Sequence, residues 1–270
     1  WSAILDISEL SEAFARTGRP LTARDVIEFV ALDRDNPSSV WNCLRAAREN
    51  AHAVRGTLTA EMWETTNATW LEIREVTPQK LQGMDLGEFF EWVKFRSHLL
   101  RGVTFGTMLH DEAFKFVRLG TFLERADNTA RILDVKYYLL LPSVAHIGTS
   151  IDNVQWETIL RSVSAEHAFR WLNAGDTRPV GVAEFLILDQ RFPRSLAFCY
   201  QKLFGNLCYL EEDYGIRMPS HDLAREIHDG LTRRSIDAVF ESGLHEFLTD
   251  FMRANAQIAR AIADDYRFLR

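Results

Sequence analysis

What this sequence has little of narrows its class before any motif is weighed. Its three cysteines, Cys43, Cys199 and Cys208, stand in no Cys-x-x-Cys or metal-ligand spacing. That excludes a disulfide framework and fits a reducing cytoplasm, where a buried thiol behaves as a small apolar group. Long apolar runs are missing too. None nears the roughly 18 residues a membrane span needs, and the best candidate, 137–141, is cut by Pro142. Positive charge is scarce, with 31 Lys and Arg against 38 Asp and Glu and a net charge of −7. No Lys/Arg cluster offsets that balance, so no nucleic-acid partner is expected. The glycine-rich phosphate loop is absent, because Gly102-Val-Thr-Phe-Gly106 lacks the lysine and the preceding strand. A di-iron bundle needs Glu-x-x-His on two helices, and that spacing surrounds none of the eight histidines. His221/His228 and Glu241/His245 are isolated pairs, and no metal or cofactor is expected.

Strand patterning is lacking as well, since no segment alternates apolar and polar residues at period two. Helical signals fill the space. They place helices at about 1–16, 22–32, 36–56, 59–77, 86–103 and 111–140, then at 154–162, 165–173, 180–188, 193–213, 221–240 and 244–270. The reading caps the second helix with Thr22, opens the third on Asn36-Pro37, breaks 221–240 near Gly230 and leaves 142–152 as a loop. The seven tryptophans sit mostly at core spacing and read as packing. The fold class is an all-α helical bundle, and 270 residues at 47% hydrophobic suffice for a large core.

The chain carries an internal repeat. Val26-Ile-Glu-Phe-Val-Ala-Leu-Asp-Arg-Asp-Asn-Pro-Ser-Ser-Val-Trp-Asn-Cys-Leu44 aligns without gaps on Val182-Ala-Glu-Phe-Leu-Ile-Leu-Asp-Gln-Arg-Phe-Pro-Arg-Ser-Leu-Ala-Phe-Cys-Tyr200, with eight of nineteen positions identical. Nearby offsets pair Trp1, Ile4 and Leu5 with Trp156, Ile159 and Leu160, and Leu86, Glu88 and Phe89 with Leu244, Glu246 and Phe247. One helical domain over 1–270 is therefore expected to be an internal duplication, an incomplete copy at 1–108 and a second at 109–270. In the second copy Glu124 lies 65 residues before Asp189; its counterpart would stand 65 before Asp33, some 32 positions ahead of Trp1. The first helix of the first repeat is expected to be missing, either because the helix was never there and the fold is lopsided or, the favoured reading, through truncation at the amino terminus.

The stretch most open to a functional reading is 119–134. Phe116, Leu119, Leu123, Ala126, Ala130, Leu133 and Tyr137 form an apolar stripe in steps of three and four. Glu124, Asp127, Arg131 and Asp134 recur beside it on one ridge, with Arg125 on the other flank. Such a ridge is either a ladder of mutually satisfied ion pairs or a partly buried site for a polar ligand or partner. Acids and arginines this close tend to satisfy each other, which weakens the case for a free catalytic carboxylate. A second candidate lies at the turn before 193–213. There Arg191, Arg194 and Ser195 gather at a helix amino terminus, a place suited to a phosphate or carboxylate, although capping by Asp and Ser explains the same residues. Ser38 stands where Arg194 stands in the other copy, so such a site would be one-sided. His110-Asp111-Glu112 could form an acid-base group but reads more simply as a helix start with acids in its first turn.

Gly106-Thr-Met-Leu-His-Asp-Glu112, Leu119-Gly120, Leu123-Glu-Arg-Ala-Asp127 and Arg131, with Asn36-Pro-Ser-Ser39, Leu44-Arg-Ala-Ala-Arg-Glu-Asn50 and Phe192-Pro-Arg-Ser195, resemble the bacterial alpha-E family over nearly the whole chain. His110 departs from the pattern, where a basic arginine is expected. The resemblance implies an all-helical protein encoded beside a circularly permuted ATP-grasp ligase and a transglutaminase-like peptidase, and a first Glu-Arg helix near where the repeat lacks one. It carries the family motif onto Glu124, Arg125, Asp127 and Arg131. On that basis the expected partner is an ATP-grasp peptide ligase or its acceptor peptide, with the chain a helical accessory. Two rivals stay open: an enzyme using Glu124 or Asp127 as acid/base with Arg125 and Arg131 orienting an anion, and a structural homodimer.

Overall fold

A computed structural model describes residues 1–138, 150–173 and 178–268, and among them every regular element is a helix. The chain divides into two compact units, Trp1–His110 and Asp111–Arg270. The first holds α1 (Ser2–Ile7), α2 (Ser11–Arg16), α3 (Ala23–Leu32), α4 (Val40–Ala53), a 3-10 turn (Arg55–Thr57), α5 (Ala60–Ile73), α6 (Pro78–Gly83) and α7 (Leu86–Thr107). The second holds α8 (Glu112–Tyr138), α9 (Ser150–Ser162), α10 (Glu166–Leu172), α11 (Pro179–Leu188), α12 (Leu196–Tyr214), α13 (Pro219–Arg233), α14 (Ile236–Glu241) and α15 (Leu244–Asp265).

Local chemistry explains where these helices begin. Thr22, Ser39, Thr59, Thr77, Ser195 and Ser235 each accept a backbone N–H of the first turn through the side-chain hydroxyl, satisfying one orphan donor. Several expected boundaries move for identifiable reasons. The helix expected at 1–16 is two, because Glu9 takes a left-handed φ of 54° and Leu10 N–H returns to Leu5 C=O at 2.8 Å. That reversal lets Leu5, Leu10 and Phe14 share one small core. Asn36 is not a cap: it is buried, donates to Phe29 C=O at 3.0 Å and braces the turn, leaving Ser39 to open α4. Gly230 lies within α13, and the break comes at Arg234 before Ser235. The helix α6, with Thr77 as cap and Pro78 in the first turn, has no counterpart in the sequence reading. Of the loop expected at 142–152, residues 142–149 lie outside the described residues, and Ser150 already begins α9. Tryptophan packing holds fully only for Trp156; Trp1 and Trp171 are exposed.

Corresponding stretches of the two units take closely similar local geometry. The helices α3 and α11 have ten residues each and start 156 positions apart. At their ends Asp33 Oδ1 accepts from Asp35 and Asn36 N–H at 2.9 and 3.2 Å. Asp189 Oδ1 likewise accepts from Arg191 and Phe192 N–H at 2.7 and 3.1 Å. Phe14 meets Phe29 edge-on at 5.2 Å, as Phe169 meets Phe185 at 5.5 Å. The helices α7 and α15 each run 22 residues.

Packing is where the units part. In the second, α8 packs on α12 and α15, and α13 packs on the same two, which closes a four-helix ring over one continuous core. In the first, α5 packs on α4 and α7, and the buried residues form two smaller clusters.

Candidate functional site

The ridge singled out in the sequence lies on α8, in the second unit. Asp111 starts that helix, its Oδ1 accepting Phe114 N–H at 3.3 Å beside the acid Glu112, which complements the positive end of the helix. Leu119, Phe122, Ala126, Ala130 and Leu133 are buried. The two alanines, both fully buried, leave room for the backbones of neighbouring helices to approach closely. Tyr137, placed on the stripe by its spacing, has a side chain outside the described residues.

Toward α12, two polar groups of α8 reach the turn that precedes that helix. Arg125 Nη1 donates to Pro193 C=O at 2.9 Å, and Thr129 Oγ1 donates to Arg194 C=O at 2.8 Å. Each carbonyl so satisfied stabilises the contact by about 1 kcal/mol, more where the donor is charged. Toward α15, Asn255 Nδ2 donates to Leu123 C=O at 3.2 Å, while Asn255 Oδ1 accepts from the buried Tyr200 hydroxyl at 2.8 Å. Farther along, Asp134 Oδ1 and His245 Nδ1 are 2.6 Å apart, and His245 Nε2 lies 3.5 Å from Thr249 Oγ1. Between these ties Arg131 Nε donates to Asp127 Oδ2 at 2.5 Å, one helical turn apart.

The candidate residues therefore split by role. Arg125 ties α8 to α12, and Asp127 and Arg131 pair with each other while half-buried. Glu124 is exposed on the outer surface. The reading that acids and arginines this close satisfy each other describes the Asp127–Arg131 pair. Beneath the Arg125 contact lies Cys199, whose thiol is pushed up to about 12 by burial against the opposing pull of Arg125 and Arg194. It is a protonated thiol at neutral pH, unsuited to nucleophilic work. Burial, with Cys199 and Asp127 nearby, likewise pushes the Tyr200 phenol up.

At the turn before α12 the groups proposed for an anion are engaged with the chain itself. Arg191 Nη2 donates to Asp189 Oδ2 at 2.7 Å. Ser195 Oγ donates to Asp189 C=O and accepts Phe198 N–H at 3.0 Å, so it serves as the cap of α12. Burial raises the Asp189 carboxyl, but hydrogen bonds from the Arg191 side chain and from the N–H groups of Arg191 and Phe192 outweigh it and hold it below the usual carboxylate range. Arg194 is half-buried, its carbonyl held by Thr129. Arg191 and Ser195 are thus bonded to Asp189 within the turn itself.

Sequence reasoning passed over Thr129 and Asn255 and weighed His245 only as an isolated pair with Glu241; the roles of Thr129, His245 and Asn255 depend on partners 65, 111 and 132 residues away. It also passed over a groove of about 390 Å³ in the first unit, walled by Ile27, Leu81, Met84 and Leu86 and edged by Arg24 and Glu28. No candidate residue lines it. Among the described residues no group of three or more His, Cys, Asp or Glu is placed to hold a metal ion, and no helix is long and apolar enough to cross a membrane.

With this geometry in view, the comparisons with known proteins give one match. Residues 1–267 match Alpha-E, described as a predicted alpha-helical domain with a conserved ER motif. The chain belongs to that family. Its one Glu-Arg dipeptide is Glu124-Arg125, at the centre of α8. No curated protein and no solved structure matches the chain.

Proposed function

We propose that this protein is a helical accessory of a bacterial ATP-grasp peptide ligase system, acting in the cytoplasm and holding the ligase or its acceptor peptide without catalysis of its own. The observation that carries the non-catalytic half is the engagement of the α8 polar groups. Arg125 and Thr129 bond to the turn before α12, Asp134 pairs with His245 of α15, and Asp127 bonds to Arg131. A general acid or base needs reach to a substrate proton and a pKa suited to the task. Groups committed to helix contacts serve a scaffold better. The ligase half rests on the family resemblance and its expected gene neighbourhood.

Tagged full-length protein, expressed with the neighbouring ligase, is expected to recover that ligase and to change its ATP turnover. Failure of both sinks the reading. Glu124, exposed on α8, gives the enzymatic rival its handle. Glu124→Gln is expected to leave product formation in the reconstituted system within about twofold; a loss on the order of a hundredfold, as removal of a general acid gives, would favour catalysis instead.

A further inference from the structure

In the first unit four arginines gather over two half-buried tryptophans along the seam of α4 and α5. Arg34, in the turn before α4, and Arg45 carry their guanidinium carbons 4.9 and 5.8 Å from the Trp41 ring centroid. Toward the other end of α4, Arg48 and Arg55 lie 5.7 and 4.8 Å from the centroid of Trp63 on α5. Trp41 in turn meets Trp70 edge-on at 4.9 Å, which ties the two helices together. Each indole thus holds two cations. Carboxylates do little to neutralise them. Among the described residues the acid bonded to any of the four is Glu49, paired with Arg45 at 3.4 Å in an exposed contact that contributes about 0–1 kcal/mol. Arg48 Nε donates to the neutral amide of Asn67 at 3.0 Å. The fold does not require this strip. In the second unit, where α12 packs on α13 as α4 does on α5, the positions of Arg34, Trp41, Arg45 and Arg48 are held by Gln190, Ala197, Gln201 and Phe204. Phe204 stacks on His228 of α13 at 5.3 Å, and the same helix pair forms without a cation at any of these positions.

We infer that the α4/α5 strip binds an acidic peptide segment of a partner, whose carboxylates are received by Arg34, Arg48 and Arg55. Two like charges over one ring repel each other, and a carboxylate set between them removes that repulsion while accepting from both. The guanidinium fork takes a carboxylate through two parallel hydrogen bonds, and stacking on an indole holds the fork in place, so less side-chain freedom is lost on binding. A nucleic-acid strand fits less well. Its bases need free aromatic faces, and here the arginines cover the indoles. The net charge of −7 also opposes a long polyanion more than a short segment with a few carboxylates. From Trp41 to Ala53 the strip runs roughly 18 Å along α4, which an extended peptide of about six residues spans. The surface stands on this geometry whether or not its partner belongs to a ligase system.

Fluorescence anisotropy at low salt tests this on the full chain, because exposed charges are least screened there. The probes are a fluorescein-labelled Glu-Ala repeat of about eight residues, its Gln-Ala counterpart and an oligothymidine of similar length. The Glu-Ala peptide is expected to bind at least about tenfold more tightly than the Gln-Ala peptide. Arg34→Gln with Arg55→Gln, at two exposed positions, is expected to weaken it at least about fivefold. Arg16→Gln with Arg253→Gln removes the same charge from two exposed sites elsewhere and is expected to shift binding less than about twofold. Equal affinity for the two peptides, including no binding of either, overturns the inference. Equal losses in the two double variants overturn the assignment to the strip, and tighter binding of the oligothymidine than of the Glu-Ala peptide overturns the assignment to a peptide.

Discussion

The helices α12 and α4 start from turns of similar geometry, in stretches identical at eight of nineteen positions; what surrounds them decides their fate. The eight buried residues of α12 include Leu196, Tyr200, Leu203 and Leu207, while α4 buries Asn42 alone. The comparison teaches that the turn Asp-x-x-x-Pro-x-Ser is locally self-sufficient, since Asp33 and Asp189 make the same backbone bonds in both settings. Burial of the helix that follows is a separate matter. It depends on a fourth helix closing the ring, as α8 does for α12, α13 and α15.

Paired substitutions break or sharpen this contrast. The largest difference is expected at the α15/α7 pair. Leu248→Ala, at a fully buried site, is expected to cost about 2–5 kcal/mol, and Phe90→Ala no more than about 1 kcal/mol. Urea unfolding of both variants measures it, and equal losses would erase the distinction between closed and open faces. A smaller separation is expected where polar groups tie α8 to α15. Asn255→Ala leaves the buried Tyr200 hydroxyl without its acceptor and removes the second donor to Leu123 C=O, and is expected to cost about 1–3 kcal/mol. Ser97→Ala, exposed, stays within about 0.5 kcal/mol. Similar costs at both positions would mean that the first unit buries its α7 face after all.

The smallest effect concerns the turns themselves and depends on pH. Asp189 is held below the ordinary carboxylate range, so its ionised form is favoured in the folded chain. Its contribution is fully present above the unfolded value of about 3.9 and is lost as pH falls through the lower folded value. Asp189→Asn should therefore destabilise at neutral pH and flatten the loss of stability on acidification. An unchanged acid limb in thermal melts from pH 5 to 2 would show that the Arg191 and backbone bonds leave the carboxyl unperturbed.

Much of the architecture was legible in the chain, because helix signals are local. Thr22 was read as a cap from its place before an amphipathic run, and its hydroxyl does accept Asp25 N–H at 3.2 Å. Asn36 was misread for an equally local reason: Asn before Pro is a common helix start, and only burial of its amide against Phe29 C=O shows that it braces the turn. The break at Glu9 was hidden because a left-handed residue other than glycine leaves little trace in composition.

For the candidate site the division is sharper. The sequence by itself determined that α8 would be a helix with an apolar stripe and a dense polar flank, since periodicity and capping act over a few residues. The Asp127–Arg131 pair belongs to that level, its members standing one turn apart. Tertiary structure alone decided what the other polar groups do. Arg125 finds Pro193, Thr129 finds Arg194, Asp134 finds His245 and Leu123 C=O finds Asn255, partners 65 to 132 residues away in the chain. No short-range pattern encodes those distances; they follow from apolar burial drawing α8 between α12 and α15, after which each buried donor and acceptor must be matched.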